Sequence, residues 1–400
     1  VYKRQMPVQA QVLTSADGTG RLSAVGAGID LSNDGLLARI AGAVGASGDV
    51  MSRLDLQGFV DFAVDVPLDA AAGSPTDLEL DLHARLERLG VGGVDLLGNL
   101  EGPVAYRARD RSLKGGRLRA ELGGTPVELS EVSLVQVEGR TEFETRIDAR
   151  DLSIDREHLE HFLDARTVRT LLEDLEARGW FDLVGGLLRI TSTEGGETSV
   201  GLSGTLNLHD VFARVGVPIA VSSAEEIDLE LFYEGGRARA RAGVRELFGR
   251  VAERELDAAS MQITYVEPRL TIEQFQGDFE GGRLKSLATP GSSSSGFFAV
   301  DLENPFPFSL ATQLVDVDVG QLLEGVFRSD FANEGRVDAE LRLDGDLGRL
   351  TGIRGRGEYR MRDTSLWAIP VFQALFAQLG FDTAAVFSSL TSRFTIEDGV

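Results

Sequence analysis

The chain has 400 residues, 42 % of them apolar, enough for a real core. Its net charge of −23 argues against nucleic acid or an anionic bilayer surface as a main partner, because both repel it. It has no cysteine, which excludes disulfides, zinc–thiolate centres and thiol nucleophiles and selects no compartment.

In chain order, Val1–Gln5 (VYKRQ) reads as a non-native scar, and the rest reads as a fragment of a longer protein. Residues 6–151 form a β-sheet segment. The cleanest alternation runs from Asp77 to Arg88, with Leu78, Leu80, Leu82, Ala84 and Leu86 on one face and charged residues and His83 on the other. Leu118 to Leu122, Val127 to Leu134 and Phe143 to Ile147 continue the pattern, with glycine pairs as turns.

Residues 152–286 read as a helix followed by sheet. Asp155 can cap a helix over 156–178, with Leu159, Phe162, Leu163, Leu171, Leu172 and Leu175 as its apolar face and Gly179 as its stop. Two short helices are expected after His209 and Ala242. Ile227, Leu229, Leu231 and Tyr233 make an alternating strand. Residues 287–296 form a Pro-Gly-Ser loop. Residues 297–400 open with a strand interrupted at Asn304-Pro305. A short helix follows at Gln321 to Phe327, then a strand carrying Val337, Ala339, Leu341 and Leu343.

The last stretch, Gly352 to Val400, reads as strand, amphipathic helix pair, strand. Tyr359 and Met361 alternate with charged neighbours. Pro370 fits a first helical turn, and Val371, Phe372, Leu375, Phe376 and Leu379 make one apolar stripe in a helical region spanning 366–392. Phe394 and Ile396 return to strand, and Asp398-Gly399 is a turn signal. Thr364 to Phe381 carries no charge, but Pro370, Gln373 and Gln378 favour a helix docked on protein or at an interface over one that spans a bilayer.

This stretch resembles the C-terminal segment of the AsmA-like superfamily of bacterial envelope proteins. The residues that carry the likeness are Gly355 and Gly357, Asp363, Ile369-Pro370, and Phe394 to Gly399. Leu96 to Leu129 is similar to a strand-turn-strand unit of larger members. The resemblance implies a long β-sheet curled into a groove with an apolar inner face that carries lipid across the periplasm, in a protein anchored in the inner membrane.

The chain also repeats itself: Gly204 to Asp210 and Gly357 to Asp363 share G-x-apolar-x-apolar-x-D. Upstream of each, a helix leads into an alternating strand, Leu171 to Ile190 and Leu322 to Leu343. An elongated sheet grown by duplication explains this.

No motif for covalent chemistry stands out. His158 and His161 share a helical face, but H-x-E-H misses the zinc-protease spacings, and a solvated helix face is the simpler reading. Ser292 to Ser295 sit in a connector, and no phosphate-binding glycine loop occurs. Acidic residues alternate with apolar ones and belong to the wet face of strands.

The expected fold is mainly β with a few helices (α+β). It is an elongated antiparallel sheet curled into an apolar groove, with amphipathic helices near the C-terminal end. Leu229, Leu231, Val337, Ala339, Leu341 and Leu343 are the candidate groove residues, facing away from Asp228, Glu230, Asp338, Glu340 and Arg342. The expected function is to hold phospholipid acyl chains between inner and outer membrane, without cofactor, metal or enzymatic step. One rival is a structural factor for outer-membrane biogenesis with a closed β-sandwich core. A glycan-active enzyme or adhesin ranks last, because only Trp180 and Trp367 offer indoles and both lie in apolar settings.

Overall fold

Period-two alternation dominates the chain, and it folds accordingly. The computed structural model describes residues 9–14, 19–30, 54–69, 79–91, 94–107, 112–137, 140–160, 165–193, 198–215, 217–235, 237–287, 296–303, 306–323, 335–347, 349–362, 378 and 389–397. They are mainly β-strand, in one large sheet whose described pairings are antiparallel. The chain divides into two compact units. The first comprises residues 1–168, 180–206 and 230–238; the second comprises 169–179, 207–229 and 239–400.

The first unit begins with β1 (Gln9–Thr14), β2 (Thr19–Asp30), β3 (Leu54–Asp69), β4 (Glu79–Val91) and β5 (Val94–Arg107), each paired with the next. An interrupted strand follows, β6 (Ser112–Gly115) and β7 (Leu118–Leu122), both halves lying between β5 and β8 (Thr125–Val137). β9 (Arg140–Ser153) and most of β10 (Arg178–Thr193) complete the described pairings. One face is a closed core. Leu118, Leu129, Leu152 and Leu183 are each at most 2 % exposed, among Leu100, Ile147 and Ile190.

Strands β11 (Thr198–Val215), β12 (Val217–Glu234) and β13 (Arg237–Val251) contribute residues to both units. The second unit continues with β14 (Arg254–Val266) and β15 (Arg269–Phe279). A second interrupted strand follows, β16 (Gly282–Ser286) and β17 (Gly296–Asp301), held between β15 and β18 (Pro307–Asp318). β19 (Arg336–Asp346), β20 (Arg349–Arg362) and β21 (Ser389–Ile396) then pair in succession.

Among the described residues helix is scarcer than the sequence implied. The region 156–178 is not one helix but α1 (Arg156–Leu159), α2 (Ala165–Arg169) and a π turn (Thr170–Asp174), with β10 already under way at Arg178. The helices expected after His209 and Ala242 are strand, inside β11 and β13. Tertiary contacts decide this: Ala242 pairs with Ile263 across the antiparallel ladder of β13, and past His209 the Arg214 N–H donates to the Leu175 carbonyl at 2.7 Å while the Arg178 guanidinium lies 4.2 Å from the Phe212 ring centre. Such contacts outweigh a weak local helical preference. Gly179 is not a helix stop. It lies in β10 with φ +140, where a Cβ would meet Val211 Cα at 2.6 Å. The short helix α3 spans Val319–Leu323, earlier than expected. Of the helical region 366–392, residues 389–392 are strand, residue 378 is helical, and the rest lies outside the described residues, as do the 288–295 loop, Asn304 and Pro305.

A recurring device punctuates the sheet. At Gly28, Asp151 and Asp316 a strand takes a positive-φ residue (68°, 55° and 54°), and the register slips by one. Such a bulge leaves a backbone N–H outside the ladder. In each case an aspartate of the returning strand accepts it: Asp61 at 2.7 Å, Asp182 at 2.8 Å and Asp338 at 2.9 Å. The residue after each bulge pairs with the residue before that aspartate: Ile29 with Val60, Leu152 with Phe181, Val317 with Val337. These three, each at a strand end before a long connection, are a structural repeat, and the same clasp recurs within β10, where the Gly185 N–H (φ 59°) donates to Asp148 of β9 at 2.7 Å. The repeat falls at different positions from the G-x-apolar-x-apolar-x-D match.

Candidate apolar binding face

Registers across β18 to β21 place side chains in four rows on one face. They are Val317, Val337, Met361, Leu390; Leu314, Ala339, Tyr359, Ser392; Thr312, Leu341, Gly357, Phe394; and Leu310, Leu343, Gly355, Ile396. No charged residue occurs in these rows. The opposite face carries Glu340, Arg342, Asp344, Arg354, Arg356, Glu358 and Arg393, with Arg393 donating to Glu358 at 2.7 Å. Period two thus separates apolar from charged side chains across four strands.

Cover is uneven along the strands. Val317 and Val337 are 0 % and 3 % exposed and pack with Val319 of α3, also 0 % exposed. Leu314, Ala339 and Tyr359 pack against this cluster and are half-buried; beyond it Leu341, Leu343 and Leu310 are also only half-buried, and Phe394 is 39 % exposed. The face is closed at the α3 end and partly uncovered along the rest. Gly357 makes room for Phe394: a Cβ there would run into the Phe394 ring, which also lies 6.4 Å from that of Tyr359. An aromatic ring laid over a strand glycine restores the contact the glycine lacks.

The predicted site residues fall in three places. Ala339, Leu341 and Leu343 lie together on this half-covered face. Val337 shares their face but is sealed beneath α3. Leu229 is half-buried in the second unit, and Leu231 packs against the core of the first. Glu340, Asp228 and Glu230 are exposed, and Asp338 accepts the Asp316 clasp bond. Met361, Tyr359, Phe394 and Ile396 join the face through register. Their alternation was visible in the sequence, but their neighbours were not.

His158 is not on a solvated helix face. It is 6 % exposed, with Nε2 2.8 Å from Thr125 Oγ1 and Nδ1 2.8 Å from Asp155 Oδ1. A carboxylate only accepts, so Nδ1 donates to Asp155, while Nε2 shares a hydrogen bond with the Thr125 hydroxyl. Asp155 also caps α1 through the His158 N–H at 3.0 Å. Burial pushes the Asp155 carboxyl up, but the Ser153 hydroxyl and the His158 N–H and ring outweigh it and hold it below its ordinary value. The node ties α1 to the start of β8. His161 lies outside the described residues.

A concavity at the ends of β14, β15, β16 and β18 is lined by Glu255, Asp257, Asp278, Glu280 and Asp316, with Arg283 and Phe279. Its carboxylates suit no acyl chain. Among the described residues no group of His, Cys, Asp or Glu has a metal-holding arrangement, and no helix is long and apolar enough to cross a membrane, which says nothing of a β-barrel. Comparison with protein-family models, curated proteins and solved structures finds no match to this chain.

Proposed function

We propose that this chain is an AsmA-like lipid-binding or lipid-transfer protein of the bacterial envelope, whose apolar face on β18 to β21 holds phospholipid acyl chains. The observation that carries this reading is the uncharged face itself, half-covered beyond α3. An apolar face must be buried against something, and acyl chains are a filler without polar demands. The likeness of residues 352–400 to the AsmA-like C-terminal segment supports the same reading and supplies its setting: the periplasm, between inner and outer membrane, with an inner-membrane anchor outside this chain. No cofactor or covalent step is needed.

The second reading is a structural factor for outer-membrane biogenesis, closed by protein throughout. The packed core of the first unit favours it, since Leu129 and Leu152 are fully buried there. The two readings part at one residue. On a lipid-covered face, Leu341→Glu leaves the protein folded and abolishes lipid photo-crosslinking, because a carboxylate among acyl chains has no partner. On a protein-covered face the same change buries an unpaired charge and costs several kcal/mol, about 3 to 5. Glu340→Leu, on the charged side, is the control and keeps crosslinking. Thermal melting and lipid crosslinking of the three proteins decide; a folded Leu341→Glu variant that crosslinks like wild type removes lipid from this strand.

A further inference from the structure

We propose that α3 is a fixed stop that ends the acyl-chain path on this face and so selects chain length; the inference rests on the lipid-binding reading above. Val319 and Leu322 pack in one cluster with Val317, Val337, Leu314, Tyr359 and Met361, so α3 lies on the apolar face at its closed end. It is pinned rather than hinged. The Asp318 carboxylate accepts from Gln321 N–H at 3.0 Å, Arg254 donates to the Gln321 carbonyl at 2.8 Å, and Val319 N–H donates to the Gly335 carbonyl at 3.1 Å. The Asp316–Asp338 clasp fixes the strand immediately before it.

The length of the uncovered stretch matches this role. From Leu341, past the rows packed under α3, to Gly345, β19 runs roughly 14 Å at ~3.4 Å per residue. One leaflet's share of a bilayer's hydrocarbon is about 15 Å. One extended acyl chain therefore fits beside β19 with its methyl end toward α3. Leu322, half-buried and less enclosed than Val319, is the side chain whose size sets the depth.

The test uses the whole chain, incubated with vesicles of an equimolar series of saturated phosphatidylcholines of increasing chain length. The protein is re-isolated and its lipid identified by mass spectrometry. Wild type should retain a narrow range of lengths. Leu322→Ala should move that range to chains longer by roughly two carbons, which refill the vacated volume. Leu322→Trp should move it to shorter chains and carries the test alone if the alanine variant melts at the assay temperature. Bound lipid with the same length distribution in every folded variant overturns the stop and leaves acyl binding standing. No lipid retained by wild type overturns both.

Discussion

The aspartates that close the bulges do work that charge alone does not describe. Asp338 accepts the bulge N–H of Asp316 and lies 3.0 Å from Arg362. Asp338→Ala strips the acceptor from a solvent-reached N–H and should cost about 1 kcal/mol, while Asp338→Asn, which keeps a carbonyl acceptor, should cost less. Denaturant midpoints of the two variants check the order. Asp61 gives the pH counterpart. The Gly28 N–H, with help from Arg85, holds its carboxyl below the ordinary 3.8 despite the opposing pull of burial. A depressed folded pKa means a contribution that is complete above 3.8 and fades as pH falls through the folded value. The stability gap between wild type and Asp61→Asn should therefore hold through neutral pH and close in acid. A gap that stays equally wide in acid contradicts the assignment. None of this was legible in the sequence, because an aspartate that accepts from a bulge looks like any other wet-face residue. The one signal was a break in period, where Leu314 is followed by Val317 instead of an apolar residue at 316.

Strands were legible because burying one face demands period two. Leu82, Ala84 and Leu86 turn inward on β4 while Asp81, His83, Arg85 and Glu87 are exposed. Helices were over-read, since apolar spacing of three or four residues also arises where a strand packs both faces, as around Phe212 in β11. Which strands would pair, and so which residues would share rows, lay beyond the pattern. The pairing of β20 with β21 gives a direct test. Gly357→Ala drives a Cβ into the Phe394 ring and should cost about 1 to 3 kcal/mol, the range for overpacking. In a Phe394→Ala background the same change should cost much less. A double-mutant cycle by thermal or denaturant melting measures the coupling; additive effects would mean that the ring does not occupy the glycine's space in solution.

On β18 to β21 the sheet separates an uncharged face from a charged one, and cover differs between the two units. The first unit closes a core around Leu129 and Leu152; the second leaves Leu341, Leu343 and Phe394 partly uncovered. Exposed cross-strand pairs such as Arg189–Glu144 at 2.6 Å contribute little stability. The absence of cysteine makes the central claim directly measurable, because a single introduced cysteine takes a unique spin label. The decisive measurement is electron paramagnetic resonance of chains labelled at Leu341→Cys or Glu340→Cys, mixed with phosphatidylcholine carrying a nitroxide in its acyl chain. Lipid held on the apolar face predicts strong dipolar broadening at position 341 and little at its neighbour. Equal spectra at the two positions, with both variants folded, would contradict the account.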